Sequence, residues 1–256
     1  MTRVVKVGGR VQSDPTLALH LADAWDAMAR SLVVVHGGGD EVTALQHAFG
    51  VVAEFVDGRR VTSPRDMELV RMGLSGTANK RLVAALVREG VRAVGISGED
   101  ASLIAATPVA PDTLGHVGKV QRVSASLLWH LLDGGYLPVI SPVSRNIGLD
   151  LGPTLNVNAD DAAAAIAVAL EAEELLLISD VPGVLPADGE RAIGMLSVDE
   201  ATALIAEGTA VRGMAAKLTA AIAALQGGVP VVRVSDLMGL NDQSRGTIIT
   251  MTGEGI

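Results

Sequence analysis

The chain has no cysteine, which excludes a disulfide scaffold, a thiol nucleophile and thiolate metal ligation. It also removes the main argument for secretion. Aromatic residues are scarce, with two Phe, two Trp and one Tyr in 256 residues, too few for the stacking platforms of a single-strand nucleic-acid binder. No apolar run approaches transmembrane length, and no basic segment leads into an apolar one. Met1 is followed almost at once by strand-like residues 3–7, so a soluble, cytoplasmic protein is expected. Positive charge is in deficit: the formal net charge is -9, and no basic cluster offers a footprint for nucleic acid or an anionic membrane. Among the 20 basic residues only four are lysine. Searches for G-x-x-x-x-G-K-[ST], G-x-G-x-x-G, H-E-x-x-H and G-x-S-x-G find nothing.

What is present is a hydrophobic content of 49%, ample for one large core or two tightly joined lobes. Strand-like runs at 3–7, 32–35, 93–96, 137–140, 175–178 and 231–234 alternate with Ala/Leu-rich helical patterns. Continuous apolar strands separated by helices predict a mostly parallel sheet covered on both faces. Pro64 opens a helical stretch to about Glu89, with a break expected near Gly73–Gly76. Hairpins are expected between about 101 and 123, and again from Arg145 to Val157 around Gly152-Pro153.

Several local patterns suit anion chemistry. Lys6 closes the first strand and runs into Val7-Gly8-Gly9; alone this reads as a strand-end lysine and a βα turn. His36-Gly37-Gly38-Gly39 is more specific, because three glycines ahead of a helix let backbone amides approach an anion, and a tight turn seldom requires three. His36 itself reads as a hydrogen-bonded structural histidine. Asn156-Val157-Asn158-Ala159-Asp160-Asp161 reads first as an N-cap cluster, with Asn158 or Asp160 as the cap. The two Asn also share one face of a strand end, and an Asp close behind suits lysine ammonium groups. Lys217 lies in the helix start Gly213-Met214-Ala215-Ala216-Lys217. Asp180, in Ser179-Asp180-Val181-Pro182-Gly183-Val184-Leu185, fits either an Asx turn or a nucleotide loop. Arg59-Arg60-Val61-Thr62 precedes Pro64; an arginine pair is ordinarily a solvated face, but beside glycine loops one guanidinium suits a carboxylate.

Taken in order, these segments resemble the amino acid kinase family, together with Gly76-Thr77-Ala78-Asn79-Lys80, Val94-Gly95-Ile96-Ser97-Gly98, Gly115-His116-Val117-Gly118 and Gly135-Tyr136-Leu137-Pro138-Val139. The likeness covers nearly the whole chain. It implies a three-layer α/β/α sandwich with an open, mainly parallel sheet of about eight strands. An N-terminal lobe of about residues 1–150 would bind an acylamino acid, and a C-terminal lobe of about 151–256 would bind ATP. The implied reaction is ATP-dependent phosphorylation, with Mg²⁺, of the γ-carboxylate of N-acetyl-L-glutamate in arginine biosynthesis.

Carried over residue by residue, Lys6 and Lys217 would stabilise the transferring phosphoryl group and Asp160 would orient both. Gly8 and Gly9 would meet the ATP phosphates. Gly38 and Gly39 would offer amides to phosphate and substrate, and Arg60 and Asn156 would hold the α-carboxylate and N-acetyl group. Asp180, Val181, Pro182, Gly183, Val184, Leu185, Thr209, Ala210 and Val211 would line the nucleotide. No side chain is assigned to a metal. Arg59 stands where the family more often has leucine, and Ala101 where a glycine is usual after Gly98-Glu99-Asp100, so the turn there is expected to be altered. A kinase acting on carrier-linked aminoadipate and a non-catalytic amino-acid sensor are the competing readings. The first would want a basic docking surface, for which Arg59-Arg60 is a thin basis; the second has no use for Lys6, Asp160 and Lys217. A homodimer across the Pro64–Glu89 region is expected. With only two residues before the first strand, so is weak inhibition by L-arginine; a PII-type regulator is left open.

Overall fold

The structure, a computed structural model, describes residues 2–56, 58–148, 152–186, 189 and 191–252. Strands β1 (Arg3–Val7) and β2 (Leu32–His36) are buried along their whole length, as strands covered on both faces must be. They are joined by α1 (Leu17–Ala27), and α2 (Gly39–Ala48) follows β2. A two-stranded antiparallel ribbon, β3 (Phe55–Val56) with β4 (Arg59–Arg60), stands apart from the main sheet.

The helical stretch from Pro64 is continuous. It runs as α3 (Pro64–Arg71), a π-helical segment Met72–Ala78, and α4 (Asn79–Arg88). The break expected at Gly73–Gly76 is therefore a local widening of the helix rather than a gap. Pro64 sits in the first turn, and Ser63 and Asp66 cap it reciprocally, the combination that starts a helix most sharply.

Next come β5 (Ala93–Gly98), β6 (Ile104–Pro108), α5 (Pro111–Leu114), β7 (Val117–Val123), α6 (Ser126–Asp133) and β8 (Leu137–Asn146). The last part of the chain holds β9 (Thr154–Val157), α7 (Ala159–Ala169), β10 (Glu174–Ile178), β11 (Met195–Ser197), α8 (Val198–Ala206), α9 (Arg212–Gln226), β12 (Val231–Ser235) and β13 (Thr247–Thr250). Among the described residues the main sheet has 11 strands, in the order β11-β13-β12-β10-β1-β2-β8-β6-β7-β9, with β5 also on β8. The expected eight strands are thus exceeded. Strand β8 is long enough to pair in parallel with β2 and β5 through its first half, and through its second with β6 in parallel and β9 antiparallel, so the short hairpin strands join the same sheet. The lobe boundary expected near 150 falls on residues 149–151, outside the described residues.

Pairing at the centre is parallel: β12, β10, β1 and β2 run side by side. Alternate residues of each strand enter opposite layers. Val5, Val7, Val34 and Leu176 pack with Leu21 and Trp25 of α1 and Leu82 and Leu86 of α4. Val4, Val33, Val35, Leu175 and Leu177 pack with Ile166 of α7 and Leu218 and Ala221 of α9. Lys6 has the parity of Val4, so the period of a strand sends it toward α7 and α9. Among the described residues no helix is long and apolar enough to cross a membrane.

Candidate active site

Two cavities open at the carboxyl ends of the parallel strands. The first, of about 230 Å³, is walled by Gly37, Gly38 and Gly39, by Arg59 and Arg60 of the ribbon, and by Asn156 to Asp160. The second, of about 500 Å³, is walled by Gly8 to Val11, Ser179 to Val181, Val184, Leu185, Leu204, Thr209 to Val211, Gly213, Met214 and Lys217. Lys6 and Gly9 line both.

At this junction Lys6 Nζ lies 3.0 Å from Asp160 Oδ1 and Lys217 Nζ lies 3.4 Å from the same atom. All three residues are buried. Burial alone would raise the Asp160 carboxyl, but Lys6 and then Lys217 outweigh it and hold the group below the usual carboxylate range. Burial first, and the neighbouring Lys6 second, bring Lys217 down to about 8. One buried carboxylate thus faces two buried ammonium groups, an arrangement short of negative charge. Asp160 is placed by α7, whose N-cap is Asn158: its side chain accepts from the amides of Asp160 at 2.7 Å and Asp161 at 3.4 Å. That settles the capping alternatives in favour of Asn158.

The glycine loop after β2 is held from beneath. His36 is buried, and its Nδ1 lies 2.7 Å from the Gly37 carbonyl, a contact that requires a proton on that nitrogen. Its Nε2 then accepts from Asn79 Nδ2 at 3.0 Å. Burial lowers the ring to about 4, so the histidine is neutral and structural, as its sequence setting suggested. Gly38 has φ +147, and a Cβ there would meet Leu74 Cδ2 at 2.8 Å. Both facts demand glycine.

On the ribbon, Arg60 donates through Nη1 to Gln46 Oε1 and through Nη2 to the Gly39 carbonyl at 2.9 Å and Thr43 Oγ1 at 2.8 Å. Asn156 donates to Thr62 Oγ1 at 3.1 Å. Arg59 is half-buried and lines the first cavity beside Arg60.

Most residues singled out in the sequence meet at these cavities: Lys6, Gly38, Gly39, Arg60, Asn156 and Asp160 at the first, and Lys6, Gly8, Gly9, Asp180, Val181, Val184, Leu185, Thr209, Ala210, Val211 and Lys217 at the second. Pro182 and Gly183 do not line it. Pro182 points to solvent, and Gly183 is turned into the protein, where a Cβ would meet Thr247 Oγ1 at 2.7 Å. Arg10, Val11 and Leu204 join the second cavity without any motif to mark them, and Met214 joins it from the segment quoted for Lys217. The altered turn after Gly98 keeps a left-handed backbone at Ala101, with φ 50, while Asp100 caps it through Ser97 N at 2.6 Å.

The family model of the amino acid kinase family matches residues 1–236. The chain belongs to the amino acid kinase family. Among curated relatives, an acetylglutamate kinase of Chloroflexus aurantiacus is 46% identical over 241 residues, covering 93% of each chain. One from Cereibacter sphaeroides is 40% identical over 260 residues, covering 97% of this chain and 87% of the relative. Among solved structures, smu.665 of Streptococcus mutans superposes with a TM-score of 0.85 at 29% identity over 98% of each chain. An N-acetylglutamate synthase of Neisseria gonorrhoeae, complexed with coenzyme A and N-acetyl-glutamate, gives 0.82 at 27% identity, over 100% of this chain and 60% of that one. The amino acid kinase fold therefore spans the main sheet and both cavities.

Proposed function

We propose that this chain transfers the γ-phosphoryl group of ATP to the γ-carboxylate of N-acetyl-L-glutamate, giving ADP and N-acetyl-L-glutamyl 5-phosphate, a step of arginine biosynthesis in the cytoplasm. The observation that carries the reading is the Lys6–Asp160–Lys217 cluster at the junction of two cavities. The curated relatives named acetylglutamate kinase support the substrate. The first cavity takes the acylamino acid and the second the nucleotide.

The acceptor carboxylate, with an ordinary pKa of about 4.3, is ionised at neutral pH and needs no general base. One of its oxygens bonds to the γ-phosphorus as the bond from that phosphorus to the bridging oxygen of ADP breaks. No proton moves, in keeping with a neutral, buried His36. What the reaction needs is alignment of two repelling anions and cancellation of charge on the group in transit. Lys6 and Lys217 supply the charge, and Asp160 fixes them. The amides of Gly8, Gly9, Gly38 and Gly39 meet phosphate and carboxylate oxygens. Arg60 and Asn156 hold the α-carboxylate and acetyl end. Magnesium would enter with the nucleotide, held chiefly by phosphate oxygens and water, and would supply further charge cancellation on the transferred group.

ADP release assayed with N-acetyl-L-glutamate, glutamate and carrier-linked aminoadipate tests the reading. Turnover is expected with the first alone. Turnover only with the carrier-linked acceptor would move the protein to the lysine pathway, and no acceptor-dependent ADP release would end the kinase reading. The same reading includes a two-fold homodimer across the 64–89 helical region, where Met72 and Val87 expose apolar side chains; a monomer mass by light scattering would refute that part.

A further inference from the structure

The two arginines of the ribbon differ in what they leave free. Both terminal nitrogens of Arg60 are taken by Gln46, Gly39 and Thr43, and its guanidinium lies 4.7 Å from the centroid of the Phe55 ring. Arg59 makes one ion pair among the described residues, from Nη2 to Asp161 Oδ2 at 3.7 Å, too long for a hydrogen bond. Its Nη1 is shielded from solvent and has no hydrogen-bond partner among the described residues. Arg59 also lines both the first cavity and the cleft between the ribbon and the start of α9, where Asp160, Asp161 and Gly213 face it.

A shielded guanidinium nitrogen without an acceptor is unfavourable and calls for an anionic oxygen. We propose that Arg59 is a second carboxylate-binding residue of the acceptor cavity. It meets the γ-carboxylate on the phosphoryl-transfer side, while Arg60 serves the α-carboxylate. This rests on the acylglutamate reading above. The ribbon then presents two guanidinium groups to a dianion, and Arg59 lowers the repulsion between the acceptor and the incoming nucleotide. Asp161 parks the arginine when the cavity holds no acceptor. At 3.7 Å the pair is loosely matched and separable; burial raises the Asp161 carboxyl, with Arg59 the leading opposing influence.

Calorimetric titration without nucleotide tests this. The wild-type protein should bind N-acetyl-L-glutamate at least about tenfold more tightly than N-acetyl-L-glutamine, which lacks the γ-charge. Arg59→Leu should weaken the dicarboxylate about tenfold and leave the two ligands nearly equal. Arg59→Lys, which keeps the charge and guards against misfolding of the leucine variant, should fall between. Asp161→Asn should stay within about threefold of wild type, because it removes only the parking site. Unchanged selectivity in Arg59→Leu would overturn the proposal. So would an Asp161→Asn protein that reproduces the loss, since the pair would then merely hold the ribbon. A wild-type protein that binds neither ligand would instead overturn the acylglutamate reading, and this proposal with it.

Discussion

The two cavities are built by different means. In the first cavity, which the proposed function gives to the acceptor, charged and amide side chains are fixed by hydrogen bonds of their own: Arg60 by Gln46, Gly39 and Thr43, and Asn156 by Thr62. In the second cavity, which the same proposal gives to the nucleotide, the charges are Lys6 and Lys217 at the junction and an exposed Arg10–Asp180 pair at 2.7 Å. The walls between are apolar, from Val11, Val181, Leu185, Leu204 and Met214. Directed hydrogen bonds discriminate sharply, because a wrong ligand leaves buried polar groups unpaired; apolar walls grade ligands gently by contact area. Acceptor choice should therefore hang on single side chains, and nucleotide affinity on many.

The junction belongs to both cavities, and breaking it should have the largest effect. Lys217→Ala is expected to lower kcat by about 10²–10³ with KM for either substrate little changed, by analogy with loss of an oxyanion donor, and Lys6→Ala should do likewise. Near-normal turnover in a well-folded Lys217→Ala protein would remove that residue from the phosphoryl site.

The contrast itself is probed by a pair of variants. Arg60→Lys should raise KM for the acceptor about tenfold or more and leave KM for ATP unchanged, because an ammonium cannot bridge the partners of a fork. Leu204→Ala on the other wall should raise only KM for ATP, by about fivefold, from the loss of roughly 1 kcal/mol of apolar contact. If either variant shifts both constants equally, the division between the cavities fails.

Lys217 is expected to act as a cation, and its ammonium titrates at about 8 in the free protein. Its contribution is complete below that pH and is lost as pH rises through it, so kcat/KM for ATP should fall on the alkaline side of pH 8. Arg stays charged throughout, so any activity left in Lys217→Arg should lose this limb. A wild-type profile flat well beyond pH 9 would contradict the assignment. The smallest effect lies away from both cavities. Ala101, at φ 50 and ψ 24, carries the left-handed penalty of an L-residue, so Ala101→Gly should stabilise the fold by about 0.5–1 kcal/mol, or about 2 °C in Tm, without altering turnover. A lower melting temperature would show that the turn is not strained.

What was legible in the sequence follows the same division. Glycines and isolated charges leave local marks, so the glycine loops, Lys6, Asp160, Lys217 and Arg60 were all readable. An apolar wall leaves none: Val11 and Leu204 look like any core-facing residue, and Pro182 and Gly183 looked like loop ligands because they sit inside a recognisable segment. The degree to which Arg59 is covered was not legible, because exposure depends on what folds over a residue.

By itself the sequence determined the alternation of strands and helices, the sharp start at Pro64 and the two-residue period that sends Lys6 to the side of the sheet occupied by α7 and α9. These are local matters of dihedral preference, capping and apolar spacing. Only the tertiary structure decided that Asp160 and Lys217, 57 residues apart, meet on Lys6. It alone made the sheet 11 strands wide, through one long strand that serves two sets of neighbours. It also left one guanidinium of an adjacent pair bonded through both terminal nitrogens and the other with a terminal nitrogen that finds no acceptor among the described residues. Those outcomes depend on packing between segments distant in the chain, where the cost of burying a charge is set by whichever groups the fold brings beside it.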